Sequence, residues 1–544
     1  MANTLNLGNG DWATKENSLL GYNSENGNYK PLPFDFTRAS NGTFINKSGL
    51  IETAASGVPR IDFLGNTSGA LLLEPQRSNL INYSSDYTNP YWTKSGATIQ
   101  ADATTAGSEL VTNGDFATDT DWTKETGWTI SGGTANSDGT SSASALYQNL
   151  SLTTGSLYKL SFKVTNYVSG SFKVYLSDGQ QIGATDLITS NGNYTFYIAA
   201  LGALCLFRNV TNFIGSIDNV SVKEVQGFAS PDGTTNAYKL VEGTNNGVHY
   251  VGSSNIGVTL GNDTTFSVFV KKGESNFIQL LFSGASHSGS NYANFDLLNG
   301  VLGSVGGGVA KIEFIGGFYR CSFTSQATAT TATNAYIWKI QSATSPRAES
   351  YTGDGTSGVY IYGAQLELGS YSTSLINTSG SAVTRVSDAC SQTVPDGIIG
   401  QTEGTMYWEG KFQDGQNPIL MQIVPSSANY LSSIYIDFNK TINLIRFHIY
   451  DSGVIQATLS TSATPETKYK IALAYKQNDI QGYVNGVSIG SDTNATIQSG
   501  LNNLIIGGLV GYVNNNTFIG TKPNNVRLYN TRLSNAELAA LTTI

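Results

Sequence analysis

Period-two alternation of apolar and polar residues dominates the chain. In SFKVYLSDG (171–179), Phe172, Val174 and Leu176 alternate with Lys173 and Tyr175, the pattern of a strand with one buried and one solvated face. LYKLSFKVTNYVSGSFKVYLSDG (157–179) and DTTFSVFVKKGESNFIQLLFSG (263–284) each read as strand, polar turn, strand, and so as hairpins. GSIDNVSVKEV (215–225) and SGVYIYGAQLEL (357–368) read as alternating closing strands. Beyond residue 389, GTMYWEGKF, SSIYIDFNK, LIRFHIYDSG, KYKIALAYKQNDIQGYVNGVSIG and LNNLIIGG are strand-like again. Only LSNAELAALTTI, at the end, departs from this pattern. There Ser534 and Glu537 make a capping box before an Ala/Leu run, which predicts one short helix. The predicted class is all-β: several antiparallel β-sandwiches of the jelly-roll kind and a single short C-terminal helix.

The order of the pieces is nested. YTNPYWTKSGATI (87–99) and FATDTDWTKETGWTI (116–130) both place an aromatic before Trp-Thr-Lys, then a Gly and Thr-Ile, and so form an internal repeat. The first copy breaks off near residue 104, and GFASPDGTTNAYKLVEG, after Val225, continues it. This predicts a discontinuous sandwich of residues 85–104 and 226–372, with a second sandwich, 105–225, inserted in one of its loops. A segment 1–84 precedes them. The Ser/Thr-rich stretch 373–388 reads as a linker, and 389–544 as a further sandwich.

Composition narrows the function classes. Charged residues make up 13% of the 544, with 60 Gly and 29 Tyr, which suits short strands and tight turns better than long helices. The net charge is −9, and no run of Lys and Arg supplies the basic patch that nucleic acid or an anionic membrane requires. No apolar run approaches the roughly 20 residues that cross a bilayer. The N-terminal MANTLNLGNGDWATKENSLLGY has neither the basic nor the apolar region of a secretory signal. A chain that reads as a β-rich extracellular module yet has no secretory signal points to a virion protein assembled in a host cytoplasm. Cys205, Cys321 and Cys390 are too sparse for a disulfide framework and read as buried thiols.

Three stretches resemble known families. KIALAYKQNDIQGYVNG (470–486) and LYNTRLSNAELAALT (528–542) resemble the laminin-G or concanavalin-A-like sandwich. VTNGDF…W (111–122) and SIDNVSV (216–222) resemble jelly rolls of the carbohydrate-binding-module type. Some members of that family hold structural Ca²⁺ with an acidic residue after the NGDF-like Phe and an Asp in the last strand. Here Asp218 matches the second position, while Ala117 occupies the first. FDFTRASNGTFINKSGLIETAASGVPRIDF (34–63), GALLLEPQRSNLINYS (69–84), YTGDGTSG (351–358) and GAQLELGSYSTS (363–374) resemble stretches of bacteriophage head- or tail-fibre proteins. That resemblance implies a homo-oligomer, with a trimer the first expectation. It also implies virion partners (capsid, portal or tail), a segment 1–84 that anchors the chain, and outward modules that meet host-surface polysaccharide.

Candidate chemistry favours binding over catalysis. His249, His287 and His448 have no zinc-binding spacing, and no nucleophile elbow or phosphate loop is present. Glu74, beside Arg77 in LLLEPQR, reads as a local ion pair at a strand end, so no catalytic residue is assigned. Sugar sites on sandwiches combine aromatic faces with a few polar groups. In the last sandwich, alternation puts Met406, Trp408, Phe412, Ile434, Ile436, Phe438, Ile445, Phe447 and Ile449 on one face, the core. The other face carries Tyr407, Glu409, Tyr435, Asp437, Arg446, His448 and Tyr450. Of these, Tyr407, Tyr435, Asp437, Arg446, His448 and Tyr450 are the candidate glycan-binding residues. Trp92 and Trp122, repeated at matching places, read as core anchors. Trp128 has no aromatic counterpart in the repeat, where Ala97 stands, and is the remaining candidate sugar platform. The expected readings are a non-enzymatic fibre that binds glycans, a capsule-cleaving tailspike, or a purely architectural decoration.

Overall fold

The computed structural model describes residues 3–23, 30–102, 106–154, 156–177, 185, 187–426, 430–509 and 519–544. The all-β prediction is borne out, and the described residues contain one α-helix, Asn535–Thr542. Its capping box is formed as the sequence suggested: the Glu537 N–H donates to Ser534 Oγ, and the Ser534 N–H donates to Glu537 Oε2 at 2.8 Å.

The innermost unit lies between Thr123 and Glu224, where seven strands form one sheet. Two of them, Leu157–Leu176 and Leu204–Glu224, are far longer than an ordinary strand. They fold the sheet over itself at bulges, with register shifts between Thr165, Ser169 and Ser171. At the bend Gly170 has φ +79°, and a Cβ there would lie 2.1 Å from the Asn212 carbonyl oxygen. The fold-over puts Leu160, Phe162 and Val164 from one half and Phe172, Val174 and Leu176 from the other into one core. The NGD turn serves the same closure: Val220 N–H donates to Gly114 O at 2.9 Å, and a Cβ on Gly114 would meet the Val220 oxygen at 2.1 Å.

Around this unit sits a sandwich of two six-stranded sheets. Thr93–Ser95 pairs with Tyr250–Gly252 at the edge of one sheet, and Ala97–Gln100 pairs with Tyr238–Glu242 at the edge of the other. The sheets close on Trp92, Leu240, Val268, Leu280, Phe295 and Ile337. The chain leaves this sandwich at Asp102 and re-enters at Gln226. Those residues form an antiparallel bridge, with Asp102 N–H donating to Gln226 O at 3.1 Å.

A third level of nesting encloses both. The N-terminal segment 1–84, expected as an anchor, contributes strands to the C-terminal sheet. Leu5–Gly8 pairs with Thr521–Tyr529, and Lys30–Thr37 pairs with Ala389–Thr393. Ser18–Asn23 joins the two. The first strands are thus part of the 15-stranded sheet of the C-terminal sandwich. Leu5, Leu7, Leu19, Phe34 and Phe36 are buried in its core with Trp408, Phe447 and Ile471. They are there because their alternating apolar faces complete that core. Within the expected linker 373–388, Val383–Arg385 pairs with Arg77–Asn79, and Thr373, Arg385 and Asp388 are buried.

Candidate functional site

The strands Ile434–Asn439 and Leu444–Asp451 are neighbours in the C-terminal sandwich, paired Tyr435 to His448 and Asp437 to Arg446. Ile434, Ile436, Phe438, Ile445, Phe447 and Ile449 point into the core. Pleating therefore turns Tyr435, Asp437, Arg446, His448 and Tyr450 to the opposite face. The structure brings these five together. The Tyr435 and Tyr450 rings stack with centroids 6.0 Å apart at 8°, and the His448 ring lies 4.8 Å from Tyr435. Arg446 grips Asp437 through two hydrogen bonds, Nε to Oδ1 at 3.0 Å and Nη2 to Oδ2.

Burial grades the cluster. Tyr435, Asp437 and His448 are buried, whereas Arg446 and Tyr450 are half-exposed and form the accessible part. Burial pushes the Asp437 carboxyl above the ordinary carboxylate range, with Arg446 opposing it. Burial, then Arg446, pushes the His448 imidazole down to about 4. At neutral pH His448 is therefore an uncharged hydrogen-bonding ring. Its Nδ1 lies 3.3 Å from Thr458 Oγ1 on the next strand. Thr458 and Ser460, exposed and paired with His448 and Arg446, extend the face with hydroxyls that sequence reasoning missed. The alternation of Ala457 and Leu459 with Thr458 and Ser460 in the following strand was the signal for them.

Three sequence expectations are corrected. Tyr407 lies on a strand of the other layer, 2% exposed. It clusters with Leu533 and Leu538 below the terminal helix, and its hydroxyl donates to Glu409 Oε2 at 2.8 Å. Trp128 is 4% exposed in the core of the inserted unit, 6.3 Å from the Phe213 ring, so it presents no face to a sugar. Asp218 accepts hydrogen bonds from the backbone N–H and side-chain amide of its neighbour Asn219. Among the described residues no group of three or more His, Cys, Asp or Glu is arranged to hold a metal ion. With Ala117 unable to contribute, the residues do not fit the calcium site implied by resemblance.

Glu74 has different partners from the one its sequence suggested. Its carboxylate pairs with Arg60 Nη1 at 2.7 Å and Arg385 Nη1 at 2.9 Å. Arg60 Nη2 reaches Asp388 at 2.5 Å, and Arg38 Nη1 meets the same carboxylate at 3.2 Å. Burial alone would raise the Glu74 pKa, but Arg385 and Arg60 outweigh it and hold the carboxyl well below the usual range. A carboxylate so buried and so firmly ionised locks elements together and has no proton to offer a substrate.

No protein family and no curated protein matches the sequence. Among solved structures, the chain is similar to the Ruminococcus gnavus IT-sialidase CBM40 bound to alpha2,3 sialyllactose, at 18% identity over 27% of this chain and 84% of that one, TM-score 0.23. It is similar to the leech intramolecular trans-sialidase at 20% identity over 27% and 24%, TM-score 0.24. It is also similar to domains LG4-5 of the mouse laminin alpha1 chain, at 13% identity over 54% and 88%, TM-score 0.20.

Proposed function

We propose that this chain is a non-enzymatic bacteriophage virion appendage, of head- or tail-fibre type, that contacts host-surface glycans through the outer sheet face of its C-terminal sandwich. The carrying observation is the parallel stack of Tyr435 and Tyr450 beside the Arg446–Asp437 fork. A half-exposed aromatic next to a fixed charged fork and exposed hydroxyls offers a pyranose both a C–H stacking surface and oriented hydroxyl partners. Buried Tyr435 and His448 support the accessible pair rather than touch the ligand. The virion reading rests on the fibre-like stretches at 34–63, 69–84, 351–358 and 363–374. Oligomeric display, as a trimer, would let weak sites act together.

The test is retention of the full-length chain on host-surface polysaccharide and on a glycan array. Tyr450→Ala should reduce retention about tenfold while leaving the fold intact, because Tyr450 lies outside the main core. An antibody to the chain should decorate purified virions. A flat array together with undiminished virion labelling would replace the adhesin reading with the architectural one.

A further inference from the structure

In the host sandwich, Tyr250–Gly252, Ala335–Lys339, Phe277–Phe282 and Tyr292–Asp296 run side by side in one sheet. Val251, Ile337, Leu280 and Ala293 point into the core. Alternation therefore sets Tyr250, Tyr336, Trp338, Leu281 and Tyr292 on the outer side, where they form a separate cluster. Leu281 and Trp338 are its buried floor, and Tyr250, Tyr336 and Tyr292 are half-buried. Tyr336 lies across Gly252: a Cβ there would come within 2.5 Å of its Cδ1. The absent side chain lets the ring lie along the sheet and leave its other side to solvent. Tyr250 stacks on Trp338 at 4.4 Å and 27° and meets Tyr336 edge-on at 5.2 Å and 84°, which fixes both rings.

Arg347 reaches across this shelf from the loop that covers Gln279, where the Ala348 N–H donates to Gln279 Oε1 at 2.7 Å. Its guanidinium donates from Nε to Asn291 O at 3.1 Å and from Nη2 to Phe282 O at 2.7 Å, so one side of the fork is fixed on the strand ends. The end of the fork, Nη1 with the second Nη2 hydrogen, has no acceptor among the described residues, and Arg347 is half-exposed. Glu349, two residues on, accepts from the Gln341 N–H at 2.7 Å and makes no ion pair with Arg347. Burial lowers the Arg347 pKa, Tyr336 opposes it, and no carboxylate contributes. A guanidinium held still beside aromatic rings, with its planar end free, matches a carboxylate in geometry and in charge.

We infer that the shelf of Tyr336 and Arg347 is a second saccharide site, and that it takes a sugar residue bearing a carboxylate, a hexuronate being the simplest. Tyr336 supplies the stacking surface for the pyranose, and the free end of Arg347 takes the carboxylate in a two-pronged hydrogen bond. Charge selects this occupant: rings alone accept any sugar, whereas a fixed guanidinium without a counter-ion lacks an anion. The inference rests on the reading of the chain as a glycan-contacting protein but shares no residue with the C-terminal sheet face.

The experiment is calorimetric titration of the full-length chain with a galacturonate hexamer and with cellohexaose. Galacturonate should bind at least about tenfold more tightly, and its advantage should shrink as salt shortens the screening length. Arg347→Gln, which keeps an amide donor near the strand carbonyls, should bring galacturonate down to the level of cellohexaose, and Arg347→Lys should keep part of the preference. A merely structural Arg347 would not move the preference. Tyr336→Val, at a strand position that suits a β-branched residue, should weaken galacturonate about tenfold. Tyr450→Ala should leave the titration unchanged. Equal binding of the two probes, failure of galacturonate to bind, or undiminished galacturonate binding in both Arg347→Gln and Tyr336→Val would overturn the inference. A loss confined to Tyr450→Ala would also overturn it, by placing the acidic sugar on the C-terminal face. Retention on host polysaccharide through Tyr450 with no galacturonate binding would remove this site and leave the C-terminal reading in place.

Discussion

Glu74 and Arg385 form an ion pair at 2.9 Å although more than half the chain lies between them. Glu74 comes just before the innermost modules and Arg385 just after them, so this contact closes the base from which those modules project. Arg60, Asp388 and Arg38 extend it into a buried chain of alternating charges.

Removing Glu74 should therefore unfold the base. Glu74→Gln leaves Arg60 and Arg385 buried with one fewer counter-charge, at a cost of about 3–5 kcal/mol. Arg77→Ala, which removes the neighbour that sequence alone would pair with Glu74, should cost about 1 kcal/mol or less. Urea denaturation followed by fluorescence compares the two, and equal effects would return Glu74 to a local role.

Acid should loosen the molecule in two stages. Burial lowers His448 and His287 to about 4, so below the unfolded value near 6.5 the unfolded chain binds protons that the native one refuses. Stability then falls as pH drops from about 6.5 to 4, by on the order of 1–3 kcal/mol per histidine. Glu74 has the opposite charge type. Its depressed pKa gives stability that is full above about 4.3 and is lost as pH falls further, towards its native value. Proton NMR of the imidazoles beside a thermal-unfolding series from pH 7 to 3 checks both stages. A His448 midpoint near 6.5 would contradict the first.

The fork under the glycan face should behave as a coupled pair. Arg446→Met strands the buried Asp437 carboxylate and should destabilise the C-terminal sandwich by about 1–3 kcal/mol, tempered because Arg446 is 26% exposed. Asp437→Asn in the same chain should recover most of that loss. A double-mutant cycle without coupling would mean that the fork is ornamental.

How much of this was legible in the sequence varies by residue. The two faces of Ile434–Asn439 and Leu444–Asp451 follow from alternation, so Tyr435, Asp437, Arg446, His448 and Tyr450 were placed together before any coordinates. Tyr407 obeys the same alternation, yet its outward side is covered by the terminal helix, and covering is a tertiary fact. Trp128 alternates with Thr129 and in step with Ile130, which marks the core side, but its lack of an aromatic counterpart in the repeat drew attention elsewhere. The partners of Glu74 were illegible because ion pairs follow topology, and only Arg77 lay within local view. The outermost nesting was signalled weakly, by Phe34 and Phe36 flanking Asp35 in a stretch that family resemblance made look like an anchor.

That nesting predicts the outcome of truncation. A chain beginning at residue 38 lacks Leu5, Leu7, Leu19, Phe34 and Phe36, all buried in the C-terminal core. At about 1.5–3 kcal/mol each, their loss rivals the 5–15 kcal/mol that typically holds a domain together. The truncated chain and the isolated fragment 389–544 should both be insoluble or molten by circular dichroism and proteolysis. A well-folded 389–544 fragment would show the N-terminal strands to be dispensable.

Excision of the inserted unit should have the opposite result. Asp102 and Gln226 are bridge partners, so their Cα atoms lie about 5 Å apart and a two- or three-residue turn can join them. The inserted core, from Val111 to Val222, is separate from the host core, apart from Leu157, which packs against the host. A chain in which a short Gly-containing turn replaces residues 103–225 should stay folded, with its thermal midpoint lowered by a few degrees at most. It should retain polysaccharide binding through Tyr450 and Arg446. Collapse of the excised chain would mean that the two sandwiches fold as one body and that the inserted unit is part of the scaffold it interrupts.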